Sequence, residues 1–248
     1  MGLGFAAVAL IPTYLFAQAR GVKQAIEATE TRSTAGLTDD LVEVTGTVEP
    51  GPEGTLTHPV TNADALAVRW YVEEDDFDDD DAHTVDRAGR QMVPFRLVDD
   101  DGAVMVDPHG ADDHLSAAHS ESFIDVMREP GPEARTFIER VQENERRAHE
   151  AGTKQIHNTP INEAAVHGAA GDLTYRVRAL QPGDTGYVLG RAISNGDGTY
   201  TIGDDGDQFM ISDMDEETLS EDLGSNQWVL AGVAALFFGL AVWAFLFG

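Results

Sequence analysis

Residues 173–193, LTYRVRALQPGDTGYVLGRAI, carry the clearest secondary-structure pattern in the chain. Apolar and polar side chains alternate strictly over Leu173–Leu180, which is the period-two pattern of a β-strand with one buried face. Tyr187–Ile193 is a second strand-like run, and the turn-forming sequence SNGDG at 194–198 joins it to a third run at Tyr200–Ile202. The sequence therefore predicts a domain made mostly of short β-strands.

Strand patterns also occur upstream, at 41–48, 65–72, 93–98 and 103–106. The tetrad Asp99–Gly102 ends in glycine between two apolar runs, so it predicts a hairpin turn. Gly46 interrupts the first of these runs, which indicates a bulge or a close approach of another backbone.

One helix is predicted between the two groups of strands. Pro132 opens the segment PEARTFIERVQENERRAHEAG, in which Phe137 and Val141 fall on one helical face and Gly152 follows as a stop. Together with roughly seven or eight short strands, this helix gives an α+β fold class. The expected architecture is a mostly β, small barrel-like soluble domain with one main inserted helix.

Two apolar segments flank this domain. Trp228–Phe247 has no charge and no proline, and at about 1.5 Å per residue it can cross the hydrocarbon core of a bilayer as a helix. Met1–Ala19 is a second transmembrane candidate, and we favour an uncleaved helix over a signal peptide because no basic region precedes it. In the second span Ala231, Ala235 and Gly239 recur every fourth residue, which is suited to self-association or to packing against the first span.

The expected organisation is therefore a double membrane tether: a transmembrane helix at 1–19, a linker at 20–40, a soluble domain at 41–215, an acidic linker at 216–227 and a transmembrane helix at 228–247. Arg20, Lys23 and Arg32 lie just inside the first span, and no basic residue lies outside either span. By the positive-inside rule this distribution weakly favours a cytoplasmic central domain.

The chain is strongly acidic. Its 44 Asp and Glu residues outnumber 16 Lys and Arg residues, for a net charge of −28. A composition with this excess predicts no basic face, and it therefore argues against a nucleic-acid partner. Disorder is disfavoured, since 42% of the residues are hydrophobic and the strand patterns can build a core. We interpret the acidity as adaptation to molar salt, where charges are screened over about 3 Å.

Catalytic motifs are absent from the sequence. It has no cysteine, so it offers no disulfide, no thiol nucleophile and no thiolate zinc site. It also lacks G-x-S-x-G, Walker A, H-E-x-x-H and dinucleotide-binding patterns. His149–Glu150 begins like a zinc-protease motif, but Thr153 stands where the second histidine is required.

Three polar clusters are candidate cation sites, each with a simpler interpretation. The Glu73–Asp81 stretch holds many carboxylates, yet it lacks a turn glycine and is typical of a solvated loop. His109, His114 and His119 are spaced by five, which does not align them on one helical face, although a loop could gather them around Zn²⁺ or Fe²⁺.

The third cluster is Asn195–Gly198 with Asp204, Asp205 and Asp207, which resembles half of a calcium loop. Tyr200 occupies the position of the glycine that such a loop requires, and a hairpin turn explains the same residues.

Aromatic residues at Trp70, Tyr71 and Phe95 could form a binding platform, but strand aromatics are more often part of a core. We therefore assign no catalytic, cofactor-binding or metal-binding residue, and we predict no cofactor.

Several segments, in order, resemble the GIDE domain, the membrane-flanked domain of mitochondrial RING-type E3 ubiquitin ligases. They are ALAVRWYVEE at 65–74, VPFRLVDDDGAVMVDPHGA at 93–111, LTYRVRALQPGDTGYVLGRA at 173–192 and FMISD at 209–213. The resemblance covers roughly residues 40–215 and implies two flanking spans. It also implies that the domain faces away from the cytosol, against the count of basic residues.

The resemblance does not bring the ligase activity, because the RING of those relatives needs cysteine and histidine ligands for zinc. The leading hypothesis is a membrane-anchored, non-catalytic module of the GIDE type, either for protein interaction or for a membrane-proximal role. It is expected to bind the bilayer through two spans and to have an unknown protein partner. One alternative is the membrane component of an E3 ubiquitin-protein transferase-like system, with the catalytic module supplied in trans. A second alternative is a metal-dependent enzyme that uses His109, His114 and His119.

Overall fold

The computed structural model describes residue 26 and residues 28–75, 83–115, 122–126, 132–151, 173–204, 208–214 and 218–219. The chain divides into two units, one of residues 31–214 and one of residues 1–30 with 215–248. In the second unit, the described residues Ile26 and Leu219 are buried. Both proposed spans, including Ala231, Ala235 and Gly239, lie outside the described residues. Among those that are described, no helix has the length and apolarity needed to cross a membrane.

Within the described part of the 31–214 unit there are thirteen strands, one long helix and a short 3-10 helix at Thr34–Gly36. The strands are β1 Leu41–Pro50, β2 Leu56–Thr57, β3 Asp64–Ala65, β4 Ala67–Asp75, β5 His83–Met92, β6 Phe95–Val98, β7 Ala103–Val106, β8 Asp112–His114, β9 Ser122–Val126, β10 Leu173–Leu180, β11 Thr185–Ser194, β12 Tyr200–Gly203 and β13 Met210–Ser212. The helix, α1, spans Pro132–Glu150.

Five strands close into a barrel in the order β1–β6–β7–β12–β11, with β11 returning to β1. All of these pairs are antiparallel except β7–β12. Thr47 of β1 pairs with Thr185 on one side and Val98 on the other, which is where the ring closes. A five-stranded Greek-key barrel of this kind has the architecture of an OB-fold.

A close backbone contact accounts for Gly46 in β1. A Cβ atom at this position would lie 2.4 Å from the carbonyl oxygen of Val98 in β6. That separation is far below van der Waals contact, so any larger residue would push β1 and β6 apart. The predicted close approach at Gly46 is confirmed.

A second, four-stranded antiparallel sheet has the order β5–β4–β10–β9. It is built from two insertions into the barrel: residues 51–94 between β1 and β6 supply β4 and β5, and residues 107–184 between β7 and β11 supply β9, α1 and β10. One face packs on α1 through Phe137, whose ring centroid lies 6.4 Å from that of Trp70 and 4.8 Å from that of Tyr175. All three rings are fully buried.

Polar contacts fix α1 to the β2–β3 hairpin. The Asn144 side chain donates to the carbonyl oxygen of Thr57 at 2.7 Å and accepts from its N–H at 2.9 Å. It therefore pairs with the two backbone groups of Thr57 as a neighbouring strand would. Arg140 donates to the carbonyl oxygen of Pro59 at 2.8 Å, and Arg147 donates to that of Thr55 at 2.8 Å. These residues follow each other at i, i+4 and i+7, so they share one side of the helix.

The mostly β barrel with one main inserted helix is confirmed. The number of strands is not, because thirteen strands replace the predicted seven or eight. The strands β2, β5, β8, β9 and β13 have no counterpart in the sequence-based prediction, and the single run predicted at 65–72 overlaps two separate strands, β3 and β4.

Candidate functional site

Alternation along β4 gives the second sheet two chemically different faces. Val68 and Trp70 are fully buried on the face that packs against α1. Arg69 and Tyr71 point to the opposite face and are half-buried.

The strand register lines up three arginines in one row. Arg69 of β4 is directly opposite Arg90 of β5 and Arg178 of β10. In the next row on the same face, Arg176 is directly opposite Tyr71. Like charges in directly opposed positions repel each other unless other groups compensate them, and all four arginines make further contacts within the chain.

The aromatic ring of Tyr71 lies beside two of these arginines. The guanidinium carbons of Arg69 and Arg178 lie 5.4 Å and 5.6 Å from the ring centroid of Tyr71. Each cation–π contact of this kind contributes about 0.5–1 kcal/mol at partly exposed sites. Two guanidinium groups are thereby held beside one ring.

We call Arg69, Tyr71, Arg90, Arg176 and Arg178 the arginine surface. All five side chains are half-buried, and all make contacts within the chain beyond the cation–π pairs. Arg178 also donates to the carbonyl oxygen of Leu115 at 3.3 Å, which ties the segment after β8 to this face. Four of the 16 basic residues of a chain with net charge −28 are thus gathered on one sheet face.

Composition alone did not predict this cluster of arginines, and the expectation of no nucleic-acid partner stays a prediction. The excess of acid is a property of the whole sequence, whereas the arginine surface is created by the register of three strands. The aromatic residues divide in the same way. Trp70 and Phe95 are fully buried and structural, as expected, but Tyr71 belongs to the arginine surface.

The acidic stretch and the histidines are not assembled into a site by the described residues. Residues 76–81 and His119 lie outside the described residues, and Glu73 is described only by its backbone. His109 lies in the turn after β7, and the backbone of His114 pairs with Ser212. In the described ranges no group of three or more acidic or histidine side chains could hold a metal ion.

The Asn195–Gly198 cluster is a hairpin turn in the structure. Asp197 accepts hydrogen bonds from the Thr199 hydroxyl at 2.6 Å and the Thr199 N–H at 3.0 Å, and these bonds lower the pKa of its carboxyl group. Gly196 and Gly198 have φ of +82° and +89°, which suits glycine. Asp205 and Asp207 lie outside the described residues. The assignment of no catalytic, cofactor or metal residue stays a prediction.

The layer between α1, the second sheet and the β2–β3 hairpin contains buried polar atoms that sequence analysis did not identify. His58 accepts hydrogen bonds at Nδ1 from the N–H groups of Val60 and Thr61, while its Nε2 has no partner among the described residues. Burial lowers the pKa of His58, with a smaller contribution from the charge of Arg140. The two amide atoms of Gln91 and the Nε1 of Trp70 are likewise buried and without a partner there.

A family model described as GIDE, E3 ubiquitin ligase, matches residues 73–245 of the chain. The chain belongs to the GIDE family. No curated protein and no solved structure matches it. The GIDE match begins inside β4, so it includes Arg90, Arg176 and Arg178 but neither Arg69 nor Tyr71. It also leaves out β1, the strand that closes the barrel.

Proposed function

We propose that this GIDE-family chain is a membrane-anchored, non-catalytic protein-interaction module, and that its partner binds at the arginine surface. The observation that carries the proposal is the row Arg90–Arg69–Arg178 with Tyr71 beside it. Guanidinium groups gathered on one sheet face of an acidic protein are suited to recognising an acidic partner through charge complementarity.

The chemistry of the surface supports recognition over catalysis. Arginine remains protonated at all accessible pH values, so it cannot serve as a general acid or base. It is instead suited to planar, two-point binding of carboxylates and phosphates. The buried groups with titratable chemistry, such as His58, are enclosed and do not share this face with the arginines.

The membrane anchor is part of the same proposal. It is supported by the two apolar segments of the sequence and by the GIDE match, which continues to residue 245 and so includes most of Trp228–Phe247. The positions of Arg20, Lys23 and Arg32 next to the first apolar segment favour a cytoplasmic domain. Protease protection of the tagged protein in membrane vesicles would decide between the two sides.

Affinity capture of the full chain from membranes tests the proposal. The wild type should enrich a specific protein, and a variant with R69Q, R90Q, R176Q and R178Q should lose it. The matched control is R96Q with R146Q, which removes exposed arginines from the barrel and from the outer side of α1. Enrichment of the same protein by wild type and quadruple variant would contradict the proposed surface, and no enriched protein at all would contradict the module.

A second function is favoured by the description of the family itself. The chain would be the membrane component of an E3 ubiquitin-protein transferase-like system, with the catalytic module supplied in trans. These 248 residues contain no cysteine and so supply no thiolate ligand for a RING zinc. Deletion of the gene should then change the pattern of modified membrane proteins, and an unchanged pattern would exclude this function.

A further inference from the structure

We infer that the arginine surface binds an extended acidic peptide segment, in which every second residue carries a carboxylate. This inference rests on the proposed interaction module and specifies the chemical class of its partner. It is drawn from the spacing, the orientation and the burial of the guanidinium groups.

The spacing of the arginines fits a peptide better than a single phosphate. Arg176 and Arg178 lie on the same face of β10, so their Cα atoms are about 6.5–7 Å apart. The row Arg90–Arg69–Arg178 crosses three strands and therefore spans roughly 10 Å. One phosphate group cannot contact charges over such an area. An extended chain repeats its side chains on one face at the same 6.5–7 Å interval.

The orientation of the guanidinium groups favours carboxylates. Arg69 and Arg178 are held near the ring of Tyr71, and Arg178 is further held by the carbonyl oxygen of Leu115. A guanidinium group that is held in place loses less side-chain entropy when it forms a two-point hydrogen bond with a carboxylate.

Partial burial favours a peptide over a flat bilayer surface. The five side chains are half-buried rather than protruding, so a narrow chain can reach them more readily than a plane of lipid headgroups. Partly buried charge pairs are also screened less by salt, which matters for an acidic protein whose long-range field repels an acidic ligand. The arginines also have contacts within the chain, and the acidic segment would replace some of these contacts or form in addition to them.

Fluorescence anisotropy with the purified full chain in detergent micelles tests the inference. The probe is a labelled peptide DSDSDSD, measured in about 1 M KCl, where long-range repulsion is screened. A labelled peptide DDDDSSS has the same charge without the alternate spacing, and we expect it to bind at least about 10-fold more weakly. The R176Q/R178Q variant should weaken binding of DSDSDSD by at least about 10-fold, which is the loss of two charge-assisted contacts.

Two further variants distinguish binding at the arginine surface from nonspecific electrostatic binding to the protein. Y71L should weaken binding about 3-fold to 5-fold through loss of the cation–π contacts, whereas Y71F should retain the wild-type affinity because it keeps the ring. The R96Q/R146Q control should bind as the wild type does. Equal binding of the two peptides, or equal binding by wild type and R176Q/R178Q, would overturn the inference.

The remaining outcomes identify other occupants. If vesicles containing anionic lipid bind in an arginine-dependent manner and displace DSDSDSD, or if inorganic phosphate displaces it at low millimolar concentration, the acidic-peptide inference is wrong. Arginine-dependent capture of a protein from membranes without binding of DSDSDSD would overturn the peptide class and leave the interaction module standing. If no protein is captured from membranes, the proposed interaction module is wrong, whatever the peptide binding shows.

Discussion

The barrel and the second sheet show how differently two parts of one domain treat their polar groups. In the barrel, the carboxylate of the turn residue Asp99 has several hydrogen-bond donors. It accepts hydrogen bonds from the N–H and hydroxyl of Thr34 and from the N–H groups of Asp101 and Gly102. In the second sheet, three arginines face each other in one row, and Gln91 is buried without a partner among the described residues. The two regions thus differ at these positions, because the polar groups of the Asp99 turn are paired whereas the Gln91 amide is not.

The origin of the second sheet explains this difference. It consists of two insertions into a barrel whose own strands pair around a closed ring. Insertions that a rigid scaffold supports are where binding residues are most often found. Local violations of packing and pairing rules are then expected more often in the insertions than in the barrel. Substitutions in the two regions test that division.

Substitution of Gly46 by valine should cause the largest loss of stability. A side chain at this position collides with the carbonyl oxygen of Val98, so β1 and β6 must separate and the barrel opens. We expect the free energy of unfolding to fall by about 3 kcal/mol, as in severe overpacking. The measurement is denaturant unfolding of the full chain in detergent.

Gly54 provides the matched control for Gly46. Its φ is +78°, but no atom lies within 4 Å of a Cβ built there. The G54A substitution should therefore cost about 1 kcal/mol through backbone strain alone. Equal losses for G46V and G54A would show that the barrel tolerates a wider β1–β6 gap than the geometry indicates.

Asn144 should contribute more than any other polar side chain that joins α1 to the hairpin. The N144A substitution leaves the N–H and carbonyl of Thr57 without the partners described above, which should cost about 2 kcal/mol. Hydrogen exchange of the Thr57 amide should rise in parallel. The R147A substitution, which removes one exposed bond to the Thr55 carbonyl, should cost less than about 1 kcal/mol. A larger loss for R147A than for N144A would contradict this ranking.

Replacement of Gln91 by leucine should stabilise the protein, in contrast to G46V and N144A. The amide is 1% exposed and neither of its polar atoms has a partner among the described residues. Removing an unsatisfied buried amide while keeping its bulk should raise the free energy of unfolding by about 1 kcal/mol. A destabilised Q91L would show that the amide has a partner, such as a buried water molecule. The half-exposed Gln181 gives the control Q181L, which should change little.

Two neighbouring glutamates on α1 should respond to pH in opposite directions. Hydrogen bonds from Arg146 and Arg147 lower the pKa of the exposed Glu143 from 4.5 to about 2, so its contribution is present above pH 4.5 and is lost as the pH falls towards 2. Burial raises the pKa of Glu145 above 4.5. The protein therefore loses stability as the pH rises from 4.5 through this raised pKa, because the buried carboxyl group must ionise.

The stability of the E143Q and E145Q variants from pH 2 to pH 8 checks this assignment. E143Q should flatten the acid side of the profile, and E145Q should remove the loss that begins above pH 4.5. Both effects should be smaller than those of G46V, N144A and Q91L. Profiles of the two variants with the same shape would contradict the assignment.

The sequence predicts the barrel better than the second sheet, and the residues show why. Each of the five barrel strands, β1, β6, β7, β11 and β12, has a counterpart among the predicted runs, and the turns at 99–102 and 195–199 carry residues that specify them. The β5 strand, HTVDRAGRQM, shows no apolar alternation. Its inward position opposite Trp70 is Gly89, where a Cβ would lie 2.5 Å from the indole ring, so the apolar group comes from the partner strand.

The arginine surface could not be predicted because it depends on pairing between distant segments. Arg69, Arg90 and Arg178 are scattered over more than a hundred residues, and only the register of β5, β4 and β10 brings them together. A search for charge runs cannot detect this arrangement. The alternating sequence YRVR at 175–178 was the available signal, since it places two arginines on one strand face.

Closure of the barrel by β1 and β11 also has a consequence for biosynthesis. Val44 pairs with Val188, which is 144 residues further along the chain. The Thr47–Pro50 end of β1 can pair with β6 early, but at a translation rate of about 5–20 residues per second the Leu41–Gly46 end must wait on the order of 10–30 s for β11. Such long-range pairing slows folding, and a strand segment that lacks its neighbour for this time is prone to aggregate. The nascent chain therefore needs protection during synthesis, and β1 is the segment for which we expect chaperone dependence to be greatest.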